Sequence, residues 1–350
     1  LPGLRVFRSA RPPGINRVRI GPSWAKAPLD ALLAFKAMSV ARRGSYDLVH
    51  SHEEGGAIGL IIARRLGVPH LYDMHSSLPQ QLSNFKFSRS RLLVGAFRWL
   101  ERRMVTQSKA IIVICRHLED TVRALSPDAP VVLIENAPGS LEAAVSEGPN
   151  PVRARHGLGS ADRLVLYTGT FEAYQGLDLL LESMRVVIAR VPNARLLLAG
   201  GHPDQIARVR GEADRLGVLP VTVFAGERPA EEIPAYLAAA DVLVSPRSRG
   251  TNTPLKIYQY LRAGRPIVAT DLLTHTQVLD RSVAQLTAPT PQAFGDGIVE
   301  VLTDAALAAS LSREAARLAE SKYTYEAYLE RTRQVLALIG SGQPTGERAA

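Results

Sequence analysis

The chain has 350 residues, 46% of them apolar, with 42 basic residues against 33 acidic ones and a net charge of +9. That much apolar sequence can bury sizeable cores, and the length suggests two domains. No apolar run reaches the roughly 18 to 20 residues of a bilayer span, the single cysteine precludes an intrachain disulfide, and no charged-then-apolar leader precedes the first structured segment, so a cytoplasmic protein is expected. The positive excess invites an anionic partner. Zinc-finger spacing, an aromatic RNA-binding signature and a basic helix feeding a heptad zipper are all missing, which disfavours nucleic acid and leaves an anionic small molecule or a membrane surface.

Taken in chain order, YDLVH (46–50), VPHLYD (68–73), AIIVI (110–114) and VVLI (131–134) are short β-rich runs. Helical stretches such as GAIGLIIARRLG and RLLVGAFRWLERRMV separate them. Cys115, at the end of the third run, is expected to be a buried thiol. These elements make one βαβ domain, which with the Pro/Gly/Ser-rich linker ENAPGSLEAAVSEGPNP is assigned to residues 1–145. The alternation restarts with RLVLYTG, ARLLLAG, VTVFAG, DVLVSP and RPIVAT, giving a second domain over 146–322. A helix over 323–340 is expected to pack back toward the first domain, with 341–350 a disordered tail. Near-continuous apolar strands in both halves predict parallel sheets covered on both faces, an α/β fold of two Rossmann-like, doubly wound domains. Ligands then bind beyond the carboxyl ends of the strands, between the domains.

The stretch TNTPLKIYQYLRAGRPIVATD (251–271) carries the most specific chemistry. Thr253 is an expected N-cap, Pro254 suits a first helical position, and Gly264 with Pro266 supplies the stop. A cation in the first turn of a helix opposes the dipole, so Lys256 suggests an anion bound at that helix terminus, with Arg247 and Arg249 crowding the same loop.

The segment SPRSRGTNTPLKIYQYLRAGRPIVATD resembles the donor-binding motif of family-4 retaining glycosyltransferases of the GT-B fold, in the variant with PLK before the YL-x-x-G-x-P signature. Other pieces stand in the family's order: DLVHSHEEGG, PHLYDMHSS, AIIVICRHL, VLIENAP, LVLYTGTFEAYQGLDLLLES, LLLAGG, VTVFAGER and IPAYLAAADVLVSP. The resemblance covers residues 46 to about 340 and implies transfer of a sugar, hexosyl-like, from a nucleotide-diphosphate sugar (a UDP- or GDP-sugar co-substrate) to a glycan or lipid-linked acceptor hydroxyl. It implies no metal and no further cofactor. On that resemblance Gly169, Thr170, Gln175, Arg247, Arg249, Thr251, Asn252, Thr253, Pro254, Leu255 and Gln259 form the donor site. Lys256 neutralises the leaving diphosphate, and His75, in YDMHSS, matches the family's acid–base or orienting histidine. His50, His52 and Glu53 fall on the acceptor side or cleft; a zinc site is not expected there, because no third ligand is convincingly spaced.

Several positions depart from the family pattern. Thr251 and Gln259 stand where most members carry two glutamates, and Thr170 and Gln175-Gly176 where an arginine and a Lys-Gly pair are usual. An amide accepts a ribose hydroxyl without the charge assistance of a carboxylate. Only 49 residues precede His50, so the first domain is expected to be truncated at its N-terminus. These departures motivate an alternative, a non-catalytic nucleotide-sugar-binding or partner protein of the same fold; a sugar-nucleotide epimerase is a lesser one. Finally, residues 86–109 place Lys86, Arg89, Arg91, Arg98, Arg102, Arg103 and Lys109 against the single acid Glu101, interleaved with Phe87, Leu92, Leu93, Phe97, Trp99 and Leu100. That pattern suits an anionic membrane surface and a peripheral location at its inner face, or an ordinary helix with one stripe in the core.

Overall fold

The computed structural model describes residues 3–10, 12, 26–80, 90–135 and 150–340. Residues 86–89 of the cationic segment, the linker over 136–149 and the tail at 341–350 lie outside the described residues. The chain divides into two compact units, one of Leu1–Glu135 with Leu329–Ala350 and one of Asn136–Tyr328. The division after Glu135 precedes the boundary expected at 145, and the return to the first unit falls inside the last helix rather than at residue 323.

The first unit contains α1 (Lys26–Ala41), β1 (Val49–His52), α2 (Gly55–Leu66), β2 (His70–Met74), α3 (Arg91–Gln107), β3 (Ala110–Val113), α4 (Arg116–Leu125) and β4 (Val131–Leu133). Its four strands are parallel and lie in the order β1-β2-β3-β4. The two-residue strand period sends Tyr72, Met74, Ile111 and Val113 to one face, where Met104, Val105, Leu118, Val122 and the buried Cys115 complete a core. Leu71 and Ala110 face the other way and pack with Ile134 and with Val335 of the last helix (Tyr325–Gly340). That helix is held further by Arg331, whose guanidinium donates to the Leu133 carbonyl at 2.9 Å. β1 extends to His52 rather than ending at His50, because its ladder with β2 continues through the pairs His50 with Leu71 and His52 with Asp73.

The second unit contains α5 (Pro151–Arg155), β5 (Arg163–Thr168), α6 (Leu177–Arg190), β6 (Ala194–Ala199), α7 (Pro203–Arg215), β7 (Thr222–Gly226) and α8 (Ile233–Ala239). There follow β8 (Val242–Ser245), α9 (Lys256–Arg262), β9 (Ile267–Thr270), α10 (Leu273–Thr276), β10 (Gln285–Thr287), α11 (Pro291–Thr303) and α12 (Ala305–Lys322). The sheet is parallel in the order β10-β9-β8-β5-β6-β7, with separate apolar cores on its two faces. The edge strand β10, three residues long, had no clear apolar run in the sequence. β5 pairs with both β6 and β8, so the chain departs from it in two directions and leaves a switch point at the carboxyl ends of β5 and β8.

Candidate active site

At that switch point the loops after β5 and β8 are forced together. Gly176, with φ of 75°, approaches so closely that a Cβ there would stand 1.9 Å from the Pro246 carbonyl oxygen. The Ser248 amide donates to the Tyr174 carbonyl at 3.1 Å and completes the junction. Short helix α9 is pinned beneath it by Tyr260, whose buried hydroxyl accepts from the Thr168 amide at 3.0 Å. In consequence Lys256 reaches the end of β5. Its Nζ sits 3.8 Å from the centre of the Tyr167 ring, and a methyl built on Gly169 would stand 3.7 Å from it.

Two expectations about this helix are corrected. Thr253 does not cap it and Pro254 is not its first residue; α9 begins at Lys256, preceded by Leu255 in helical geometry without a side-chain cap. The reason is the tight turn in which the Ile257 amide donates to the Pro254 carbonyl at 3.0 Å. Within α9, Lys256, Ile257, Tyr258, Tyr260 and Leu261 are all buried.

Lys256 is 8% exposed, and its ammonium has no hydrogen-bond partner among the described residues. Burial, and secondarily the charge of Arg247, push its pKa well below the usual lysine value. Arg247 lies over the Tyr174 ring and donates to the Asn252 carbonyl at 2.6 Å and the Thr274 hydroxyl at 2.9 Å. It thereby folds the 247–252 loop, while its Nε has no partner. Arg249 is exposed, as is Leu255 at 61%. The Gln175 amide nitrogen is 3.4 Å from the Thr170 hydroxyl, and its buried Oε1 is unsatisfied, like the buried Thr253 hydroxyl. The Thr251 carbonyl accepts from Gln277 at 2.6 Å, and Gln259 lies one turn beyond Lys256 on the same helical face. Four buried polar atoms without partners among the described residues, on Gln175, Arg247, Thr253 and Lys256, thus belong to the segments that meet at one switch point. Each costs roughly 1 to 3 kcal/mol unless something satisfies it, and two of them belong to basic side chains.

The first unit presents a second polar group. Parallel register sets His52 opposite Asp73, and the two-residue period adds His50 and His75 to the same face. Asp73 Oδ1 lies 3.1 Å from His75 Nε2 and Oδ2 lies 3.6 Å from His50 Nε2, while the His52 and His75 rings meet edge-on with centroids 4.2 Å apart. Burial would raise the Asp73 pKa, but contacts from His50 and His75 hold it well below the usual carboxylate range. Burial would lower the pKa of His75, and Asp73, then Glu53, more than offset it, so that it lies above the usual value. His52 is lowered, by burial and then by the His75 charge. Glu53 adopts φ of 52°, a conformation few non-glycine residues take, and its carboxylate accepts from Ser76 at 2.6 Å. Sequence spacing offered no third ligand beside the histidine pair. The ladder brings Asp73 and His75 to His52, with one potential ligand atom from each within 4.8 Å of the others.

Sequence reasoning missed Asp73, although its position two residues before His75 on a strand was a readable signal. It also missed Tyr167, Tyr174 and the buried pair Thr274 and His275, whose roles arise from packing.

Residues 162–304 match the family model described as glycosyl transferases group 1, and residues 2–137 that of the glycosyl transferase 4-like domain. A D-inositol 3-phosphate glycosyltransferase of Streptomyces avermitilis is 27% identical over 328 residues, which cover 87% of this chain and 70% of the relative. A phosphatidyl-myo-inositol mannosyltransferase of Mycobacterium tuberculosis is 25% identical over 297 residues, 82% of this chain and 70% of the relative. Among solved structures, Anabaena HepE in complex with UDP-glucose matches with a TM-score of 0.73 at 19% identity, covering 89% of this chain and 82% of that one. Sucrose-phosphate synthase from Thermosynechococcus elongatus matches at 0.72 and 19% identity, over 89% and 78% of the two chains. At that identity the likeness is one of fold.

Proposed function

Because the chain belongs to the glycosyltransferases with two Rossmann-like domains of the GT-B fold, we propose that it transfers a sugar from a nucleoside-diphosphate sugar to an acceptor hydroxyl with retention of configuration. The observation that carries this reading is the set of unsatisfied buried polar atoms around Lys256. A diphosphate satisfies the charged pair Lys256 and Arg247, and the donor's hydroxyls and phosphate oxygens meet Gln175, Thr253 and Gln259. Proximity to Tyr167 and to Gly169 leaves Lys256 little freedom, so its charge is preorganised for the leaving group. During transfer the bond from the anomeric carbon to the β-phosphate oxygen breaks, the acceptor oxygen bonds to the same face, and the acceptor proton leaves with the departing diphosphate. In the first unit, His75 held by Asp73 is the acid–base or orienting group. Transfer itself is taken to need no metal.

For the acceptor we favour a lipid-linked molecule presented at an anionic surface. In α3 the one acid, Glu101, is buried and bonded to the Leu78 amide at 2.8 Å and the Ser77 hydroxyl at 3.2 Å. Arg91, Arg98, Arg102 and Arg103 are exposed beside Leu92 and Trp99. No helix among the described residues is long and apolar enough to cross a membrane, and the attachment proposed through α3 is a peripheral one. A soluble inositol phosphate is the second reading, favoured by the names of the relatives.

The test is calorimetric titration with UDP and GDP, followed by transfer assays with the sugar nucleotides of whichever base binds. Lys256→Met should weaken diphosphate binding by roughly 10- to 100-fold, the size of a charge-assisted contact of about 1.5 to 3 kcal/mol. Unchanged affinity in the folded variant would remove the diphosphate from this position.

A further inference from the structure

We infer that His52, Asp73 and His75 form a binding site for a divalent transition-metal ion, and that a bound ion withdraws the His75 ring nitrogen from sugar chemistry. The first half stands on geometry alone; the second rests on the role proposed for His75.

Two imidazoles and a carboxylate are a donor set suited to first-row divalent ions such as Zn2+, with open positions left for water. Their convergence is built by the sheet. His52 and Asp73 are ladder partners, and His75 follows Asp73 by two residues on the same face. With bonds of about 2.0 to 2.2 Å, tetrahedral ligands stand roughly 3.3 Å apart. Asp73 Oδ1 and His75 Nε2 are already at 3.1 Å, and one atom from each of the three residues falls within 4.8 Å of the others. Closing the remainder requires only rotation of His52, an exposed side chain at the end of its strand.

The carboxylate is the second reason. Asp73 Oδ1 is buried and accepts no well-aligned hydrogen bond among the described residues, although His75 stands within ion-pair distance of it. A lone pair at that oxygen is therefore open to a cation. The other oxygen, Oδ2, faces His50 Nε2 at 3.6 Å, an outer contact of the kind that orients a metal-bound carboxylate. An ion held between Asp73 Oδ1 and His75 Nε2 would replace the direct contact by which Asp73 holds the ring, and a metal-bound imidazole is a poor base, so the ion would inhibit a transfer that is itself taken to need no metal.

The experiment titrates the full chain, first stripped with EDTA, with ZnCl2 in a calorimeter and with CoCl2 in a spectrophotometer. One equivalent of Zn2+ should bind, Co2+ should show the visible absorption of a low-coordinate nitrogen and oxygen site, and His52→Ala and Asp73→Asn should each weaken binding by at least about 10-fold. His50→Ala should weaken it less than either. In transfer assays Zn2+ should inhibit and EDTA should restore the rate. Non-saturable binding, or one-equivalent binding unaffected by both His52→Ala and Asp73→Asn, would overturn the site. Tight binding through the triad with undiminished transfer would overturn the inhibitory role alone. Absence of transfer from every donor would count against the transferase reading, and zinc binding is read independently of it.

Discussion

Lys256 carries two effects of opposite sign. An ammonium that is buried and has no partner among the described residues destabilises the ligand-free fold, and on the function proposed above the same ammonium would stabilise a bound diphosphate. Lys256→Met should therefore raise the thermal midpoint of the ligand-free protein while weakening nucleotide binding; a lowered midpoint would mean that the stacking on Tyr167 outweighs desolvation. Its depressed pKa adds a second readout. A bound anion raises that pKa again, so diphosphate binding should take up protons at pH values above the ligand-free pKa of Lys256. Binding enthalpies in buffers of different ionisation enthalpy should diverge for the wild type and converge for Lys256→Met. For His75, replacement by alanine should lower kcat by about 100-fold with nucleotide affinity nearly unchanged, as expected of a positioned acid–base group. Wild-type turnover would leave His75 a structural role beside Asp73 and His52.

At the scale of elements, His275 ties α10 to the sheet. Its Nδ1–H donates to the Thr270 carbonyl at 2.8 Å, and its Nε2 accepts from Ser245 at 2.8 Å, so the ring joins the ends of β8 and β9. Burial, with Lys256 and Arg247 nearby, lowers its pKa from 6.5 to about 3. The unfolded chain binds this proton below about pH 6.5 and the folded protein does not until about pH 3, so stability is present above 6.5 and lost as pH falls through that window. The slope is up to about 1.4 kcal/mol per pH unit. Denaturant melts of wild type and His275→Gln across this range should show the variant lacking that slope, and parallel curves would refute it. Helix α3 makes a separate prediction. Cosedimentation should require anionic lipid and decline with salt, and the double change Arg102→Gln with Arg103→Gln should weaken it by roughly 30-fold at about 1 kcal/mol per cation. Protein remaining in the supernatant at low salt would favour the soluble inositol phosphate.

At the scale of the whole molecule, the proposed donor site belongs to one unit, Asn136–Tyr328, and draws on two segments distant in sequence. Saturating nucleotide diphosphate should slow amide exchange chiefly in residues 167–176 and 246–259. The stabilisation should be about 2.7 kcal/mol at 100 times Kd. Protection concentrated at the opposite, amino ends of the same strands would place the ligand elsewhere.

The sequence alone determined the α/β alternation, the parallel strands, the strand-loop-helix-strand around 242–270 and the placing of a lysine, Lys256, in the first turn of that helix. These follow from apolar runs, glycine and proline punctuation and a charge set against a helix dipole, all local properties. It misplaced what depends on pairing. The reach of β1 to His52 came from hydrogen bonds to β2, and the start of α9 from a turn at Pro254 that composition does not mark. Only the tertiary structure decided that Lys256 is buried on Tyr167, that Arg247 folds its own loop while Arg249 is exposed, and that Asp73 joins the histidines. Strand register and the switch at β5 set those distances, and both arise between segments tens of residues apart, where no local pattern carries them.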